Sequence, residues 1–439
     1  MYLKFWIFIL SLAMIGCSTG KTVDSSYALD DVWASYDSFN RQYLDSAGYI
    51  YKNTSADSAA VDRWNGAAAI WCQPMYVDMA LNAMMLAQSV GDSVRMSHYR
   101  MLSNRLIDGN IAHYHGFDFD NNDTNKGWFI YDDIQWWTIT LARAAAALHR
   151  DDCLNLAEKS FARVWYGSPK VGDSGSYADP KRGLGGGMFW QWQPIENPNA
   201  NKATDGKMSC INFPTVVAAM TLYNLVPETR EKDSEPERWT NGHGEFFRPH
   251  YETKGRYLEM AKEIYDWSVE NLVELPLGKV ADHRHGDHVG GHPLLYNQGT
   301  FIGASVMLYL ATGDRHYLYN AKAGADYCIN VMSTSDGYMP WAHNENDPYS
   351  QGSLEQGIYP AIWGQYMKSL IDDCGQDQYL PYIKKNIVSG WENRDTIRNL
   401  CDGESGVKTP SDAMIGSYAA SSIPSLMLLF PPLVESTKK

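Results

Sequence analysis

The chain has 439 residues, 44% hydrophobic and 20% charged, which excludes a disordered segment and leaves ample length for a deep core. A formal charge of −14 with no basic cluster excludes the phosphate-neutralising surface of a nucleic-acid binder, so a neutral partner is expected. Aromatic residues reach 13%, with 15 Trp and 28 Tyr against 13 Phe, an excess of rings that join an apolar face to a hydrogen-bonding edge. Sugars present both kinds of surface, although packing between helices accounts for most such rings.

At the N-terminus, Lys4 precedes the apolar run Phe5 to Ile15, which closes in Met14, Ile15, Gly16, Cys17. This reads as a signal peptide over residues 1–16, too short to span a bilayer and ending in a lipoprotein cleavage box. The segment resembles those of bacterial lipoproteins, which implies that Cys17 is lipidated. Residues 17–27 then form a flexible tether, and residues 28–439 form one domain held to the outer membrane of a bacterial envelope, on its periplasmic face or at the cell surface. The lipid is the only membrane contact expected, and a monomer is expected. The six further cysteines show no paired short spacing and are expected as buried thiols.

Pairs of amphipathic helices joined by short polar turns then recur. Tyr76 to Gln88 and Val94 to Ile107 flank Val90, Gly91, Asp92; Ile134 to His149 and Cys153 to Val164 flank Arg150, Asp151, Asp152. A looser pair joins Thr215 to Leu225 with Tyr257 to Leu272 around the charged insertion Glu228 to Arg238. Phe301 to Ala311 pairs with Tyr317 to Val331 across Thr312, Gly313, Asp314, and Ala361 to Ile371 with Tyr379 to Val388. In the Gly-Asp turns the glycine ends one helix and the aspartate caps the next. Ala28 to Tyr43 and Met414 to Leu429 complete a sixth pair by meeting across a ring closure. With no strand run in view, the pattern predicts an all-α fold, an (α/α)6 toroid; an open solenoid is the alternative.

In a toroid the loops at one end of the inner helices line a pocket, and the informative stretches fall there. Asp132 and Asp133, between Tyr131 and the pair Trp136 and Trp137, stand at the start of the Ala-rich helix. A helix N-terminus favours one ionised carboxylate while the neighbouring charge keeps the other protonated, the division of labour that glycoside hydrolysis needs. The competing reading is a helix cap, since Asp is a leading N-cap residue. Gly183 to Trp192 combines backbone freedom with rings, and Gly186, Trp190 and Trp192 are candidate sugar contacts. No Lys-Ser/Thr follows and no strand precedes, which argues against phosphate. Asn212 follows, just before an inner helix, and Tyr296, Asn297 and Gln298 stand just before another, where amides can bond hydroxyls. The tract from Asp282 to His288, with His292 beyond, is loop-like and Gly-broken; it is read as a hydrogen-bonding loop at the rim, with no metal and no cofactor.

These residues resemble glycoside hydrolase family 76, the endo-α-1,6-mannanases. The carriers are Tyr131, Asp132, Asp133 with Trp136 and Trp137; Gly185 to Trp190; Tyr296 to Gly299 running into Gly303; and Thr312, Gly313, Asp314 with Tyr317 and Leu318. The resemblance implies an (α/α)6 barrel that cleaves α-1,6-mannan backbones with retention and without a metal, with Asp132 as nucleophile and Asp133 as general acid and base. The named aromatic and amide residues would line mannose subsites. Adjacent Cα atoms lie about 3.8 Å apart, which lets the carboxyls sit at the roughly 5 to 5.5 Å of a double displacement. Two departures stand out: Gln356, Gly357, Ile358, Tyr359 where the family has a Lys-Gly-Ile-Phe type segment, and the His-rich tract. The alternatives are a non-catalytic glycan-binding lipoprotein, and a hydrolase or transglycosylase of the same fold acting on another α-glycan.

Overall fold

A computed structural model describes residues 27–121, 128, 130–172, 174–191, 206–241, 244–341, 346 and 350–432. The signal peptide, Cys17, all of the tether but Tyr27, and Trp192 lie outside the described residues. In chain order the helices are α1 Leu29–Tyr43, α2 Gln73–Ser89, α3 Ser93–His113, α4 Tyr131–Leu148, α5 Asp151–Tyr166, α6 Ser209–Leu225 and α7 Lys254–Leu272. They continue with α8 Leu295–Thr312, α9 Arg315–Tyr327, α10 Gln351–Glu355, α11 Tyr359–Asp372, α12 Leu380–Glu392 and α13 Ser417–Leu429. Short antiparallel pieces decorate the connections. β1 Leu44–Asp45 pairs with β2 Ile50–Tyr51, and β3 Lys207–Met208 pairs with a later strand; β4 Glu237–Asn241 pairs with β5 Gly244–Arg248. Then β6 Val273–Glu274 pairs with β7 Lys279–Val280, and β8 His283–His285 lies between β3 and β9 His288–Gly290.

The chain forms two compact units. One comprises Met1–Ala68, Tyr76–Leu106 and Met332–Lys439. Here the first and last helices meet as expected: α1 packs on α13, and the Tyr27 hydroxyl donates to the Phe430 carbonyl (2.5 Å). The Tyr43 hydroxyl reaches the Ile415 carbonyl (3.1 Å). Helix α13 is buried along its whole length, with α11 and α12 also against it. A helix with no polar face is stable only when surrounded, which is why this stretch reads as Ala, Ser and Leu without a charge.

The other unit comprises Ala69–Met75 and Ile107–Val331 and holds three hairpins, α4 with α5, α6 with α7 and α8 with α9. Helices α4, α6 and α8 pack side by side and are buried almost continuously through their first three turns. Their partners α5, α7 and α9 carry a charged outer face. Gly313, at φ 72°, ends α8 by donating to the Tyr309 carbonyl (2.7 Å), and Asp314 caps α9 at the His316 amide (3.1 Å), as the turn chemistry predicts. Between α4 and α5 the left-handed residue is His149, at φ 58°, a position no glycine marks in the sequence.

Several boundaries differ from the sequence expectation. Asn212 and Pro214 lie inside α6, and Tyr296 to Gln298 lie in the first turn of α8, because these helices begin with polar residues ahead of their apolar stretch. The histidine tract is a β-hairpin rather than a loop, turning at Gly286 and anchored by β3. The charged insertion ends in β4, where Glu237 and Arg238 are exposed, and the helix after Arg315 gives way to a π turn at Cys328–Met332.

Candidate active site

The first turns of α4, α6 and α8 carry the candidate residues. Ile130 is the N-cap of α4 and contributes no side-chain cap, so Asp132 and Asp133 are the second and third helical residues and neither is the N-cap that the competing reading required. Both are withdrawn from water, Asp132 at 8% exposure and Asp133 at 4%. Burial pushes the Asp132 carboxyl up to about 7, against hydrogen bonds from the Cys210 thiol and the Trp190 indole that favour its ionised form. One oxygen, Asp132 Oδ1, has no partner among the described residues. An uncompensated buried acceptor of this kind is expensive to keep in a merely structural position.

Around this acid stand three rings. Trp136 lies 6.3 Å from Trp71 and 6.3 Å from Tyr296, and Trp71 and Tyr296 are 6.2 Å apart. The Tyr296 hydroxyl hydrogen-bonds Cys210, which sits in the second position of α6 and is thus shared between Tyr296 and Asp132. Burial pushes the Cys210 thiol well up, so it acts as a neutral donor. Asn297, in the third position of α8, donates to Asp282 Oδ1 (3.2 Å) while its own Oδ1 is buried without a partner among the described residues. Asp282 also binds His283 Nδ1 (3.1 Å), and the His283 and His285 rings are 4.8 Å apart.

Other predicted sugar contacts are spent elsewhere. Trp137 is fully buried against Phe117 (4.7 Å), with its indole donating to the Ile70 carbonyl (3.1 Å), and belongs to a core of rings with Trp128 and Phe119. Tyr131 is 1% exposed and lies under the Arg163 guanidinium (5.7 Å) on the α5 side. Asn212 accepts from the Met188 amide (2.8 Å) and donates to the Met188 and Met208 carbonyls, so it clamps the glycine loop instead of facing a ligand. Gln298 does the same for the β6–β7 hairpin, accepting from the Val280 amide (2.8 Å) and donating to the Gly278 carbonyl (3.1 Å). Gly186, at φ 76°, is required by Trp267, whose ring leaves 2.7 Å for any added Cβ, and not by a bound sugar. Trp190, half-buried and bonded to Asp132, keeps its place at the site, as do Trp136, Tyr296 and Asn297.

Sequence reasoning missed Trp71 and Cys210, and it placed Asp282 in a hydrogen-bonding rim loop without its partner Asn297. Cys210 was legible in principle, since it opens an inner helix two residues before Asn212; Trp71 and Asp282 precede elements whose boundaries the apolar pattern did not reach.

Residues 249–426 match the family model for glycosyl hydrolase family 76. That match lies C-terminal to Asp132 and Asp133, so the acid pair stands on the geometry above. No curated protein matches the chain by sequence. Among solved structures, an inactive variant of the α-1,6-mannanase GH76A of Salegentibacter sp. HEL1_6, with two consecutive aspartates replaced by alanine and in complex with α-1,6-mannotetrose, is 18% identical at a TM-score of 0.66, covering 91% of this chain and 97% of that one. A family 76 mannosidase from Bacteroides thetaiotaomicron is 17% identical at 0.63, covering 91% and 96%. Dfg5 from Chaetomium thermophilum, in complex with glucosamine, is 15% identical at 0.64, covering 92% and 91%. At these identities the likeness is one of fold, and the fold is the (α/α)6 toroid expected from the helical pairs. The resemblance read from the sequence is borne out in the family 76 match over residues 249–426 and in a fold shared along 91% of the chain with family 76 structures.

Proposed function

We propose that the protein is a retaining, endo-acting α-1,6-mannanase that works by double displacement. The observation that carries this reading is the buried pair Asp132 and Asp133 in the first turn of α4, neither of them its N-cap residue, with Asp132 linked through Cys210 to Tyr296 and the Trp71 and Trp136 rings around it. It is supported by the likeness to an α-1,6-mannanase whose inactive variant lacks two consecutive aspartates. Burial pushes the Asp132 carboxyl up to about 7, while donated hydrogen bonds favour its ionised form, so an anion is accessible there near neutral pH. The Cys210 thiol and the Trp190 indole donate to Asp132, which suits it to the nucleophile's part, and Asp133, beside it in the same turn, is assigned the general acid and base. Asp132 attacks the anomeric carbon as Asp133 protonates the departing glycosidic oxygen, giving a glycosyl ester on Asp132. Asp133, now a base, then takes a proton from water as that water displaces the ester. Trp71 and Tyr296, backed by the buried Trp136 ring, are the rings assigned to sugar, with Asn297 as a hydroxyl partner.

Incubation with linear α-1,6-mannan is the test. Manno-oligosaccharides should appear with new reducing ends, the first of them α-anomers by proton NMR. Binding without new reducing ends would establish a glycan-binding protein instead, β-anomers would overturn retention, and products longer than the substrate would indicate transfer to a sugar acceptor.

We also propose that the enzyme is lipid-anchored through Cys17 in a bacterial envelope, on the strength of Lys4, the apolar run to Ile15 and the Gly16-Cys17 box. Metabolic labelling with a palmitate analogue should mark the full-length protein and be lost in Cys17→Ser; label retained in that variant would sink the anchor.

A further inference from the structure

Lys207 lies on β3, half-buried and three residues before Cys210. Its Nζ donates to the carbonyls of Leu184 (2.7 Å) and Gly186 (2.5 Å) and stands 5.1 Å from the Phe189 ring and 5.2 Å from the Trp267 ring. Two carbonyls and two ring faces make a socket for a cation. The segment it grips needs holding: Gly183, Gly185, Gly186 and Gly187 all have φ between 74° and 80°, a run whose conformational entropy opposes any single shape. Trp267 covers this run and donates to the Gly185 carbonyl (2.8 Å).

What the loop delivers is Trp190. Its amide donates to the Gly206 carbonyl (3.1 Å), its carbonyl accepts from the Tyr131 amide that opens α4 (3.0 Å), and its indole bonds Asp132. Resting on the reading of Asp132 as nucleophile, we infer that Lys207 is a positioning residue of this enzyme: its ammonium fixes the glycine loop so that Trp190 meets Asp132, without touching sugar. Arg284, its cross-strand neighbour on β8, is the charge set against it and is itself paired with Asp287 (3.5 Å). Burial, then Arg284, push the ammonium down to about 8, so it remains mostly charged at neutral pH. Displacing a reacting group by a fraction of an ångström costs turnover more than binding, which gives the role its signature.

The test compares full-length wild type with Lys207→Met, which keeps the stem and removes the donor, and Lys207→Arg, which keeps charge and donors. On α-1,6-mannan, Lys207→Met should lose about 10-fold or more in kcat with KM within about 3-fold, and Lys207→Arg should recover most of the loss. Hydrogen exchange supplies a readout independent of substrate: amides of residues 184–190 should exchange about 10-fold faster in Lys207→Met, with those of α5 and α9 unchanged. A kcat within about twofold of wild type in Lys207→Met, unchanged loop exchange, or loss of protection throughout α5 and α9 would each overturn the positioning role. If wild type itself leaves mannan intact, the mannanase reading falls while the exchange comparison still decides whether Lys207 holds the loop.

Discussion

Replacing Asp132 with alanine is expected to abolish mannan cleavage, lowering kcat/KM by about 10⁴-fold or more, because the covalent step loses its nucleophile and Asp133, the other acid in the first turn of α4, has its own part in the reaction. Asp133→Ala should lose about 10² to 10⁴-fold, the usual worth of general acid–base help. The two roles separate with azide and an activated aryl α-manno-oligosaccharide, whose leaving group needs no proton. In Asp132→Ala azide enters from the face the carboxylate vacated and displaces the aryl group directly, so the glycosyl azide is inverted. In Asp133→Ala the ester on Asp132 still forms, and azide opens it from the opposite face with net retention. Exchanged stereochemistry between the variants would swap the roles; azide products from neither, with native melting curves, would remove the acid pair from the mechanism.

Two kinds of information decided how much of this site the sequence displayed. The acid pair stood out as a candidate because two adjacent carboxylates bracketed by aromatic rings open an Ala-rich helix, with capping as the rival use, and the helical pairs were legible because their apolar period and Gly-Asp turns are local signals. Which way a side chain faces is not local. Tyr131 and Trp137 were grouped with Asp132 by nearness in sequence, but about 100° per residue turns each to a different side of α4, toward Arg163 and toward Phe117. Asn212 and Gln298 looked like hydroxyl ligands because they are amides near helix starts. Their partners, Met188 and the carbonyl of Gly278, arrive on hairpins about 20 residues upstream that no periodicity announces. Gly186 was read as a sugar contact, whereas Trp267, about 80 residues further on, is what the missing Cβ atoms of Gly186 and Gly187 accommodate.

Asp132→Asn should gain stability as it loses activity, and the gain should depend on pH. The Asp132 carboxyl is held up to about 7 in the folded protein by burial, against an ordinary value of 3.8. Below the ordinary value both folded and unfolded chains keep the proton and the site costs nothing by titration. Between 3.8 and 7 the unfolded chain releases the proton while the folded one retains it, so wild-type stability falls as pH rises through this window and the deficit is complete above it. At 1.36 kcal/mol per unit the ceiling is about 4 kcal/mol; relaxation around the charge and the lost acceptor for Cys210 and Trp190 reduce the expected gain to about 1–3 kcal/mol. Chemical denaturation of both proteins at pH 4, 6 and 8 measures it, and because every other titrating group is common to the two, only the difference between them is read. That difference should grow with pH and level off above 7. A flat difference would mean that burial does not hold the Asp132 carboxyl above its ordinary range. A growing one would locate the catalytic charge as a standing cost to the fold, kept because a well-solvated carboxylate at this position would be a weaker nucleophile and its neighbour a weaker acid.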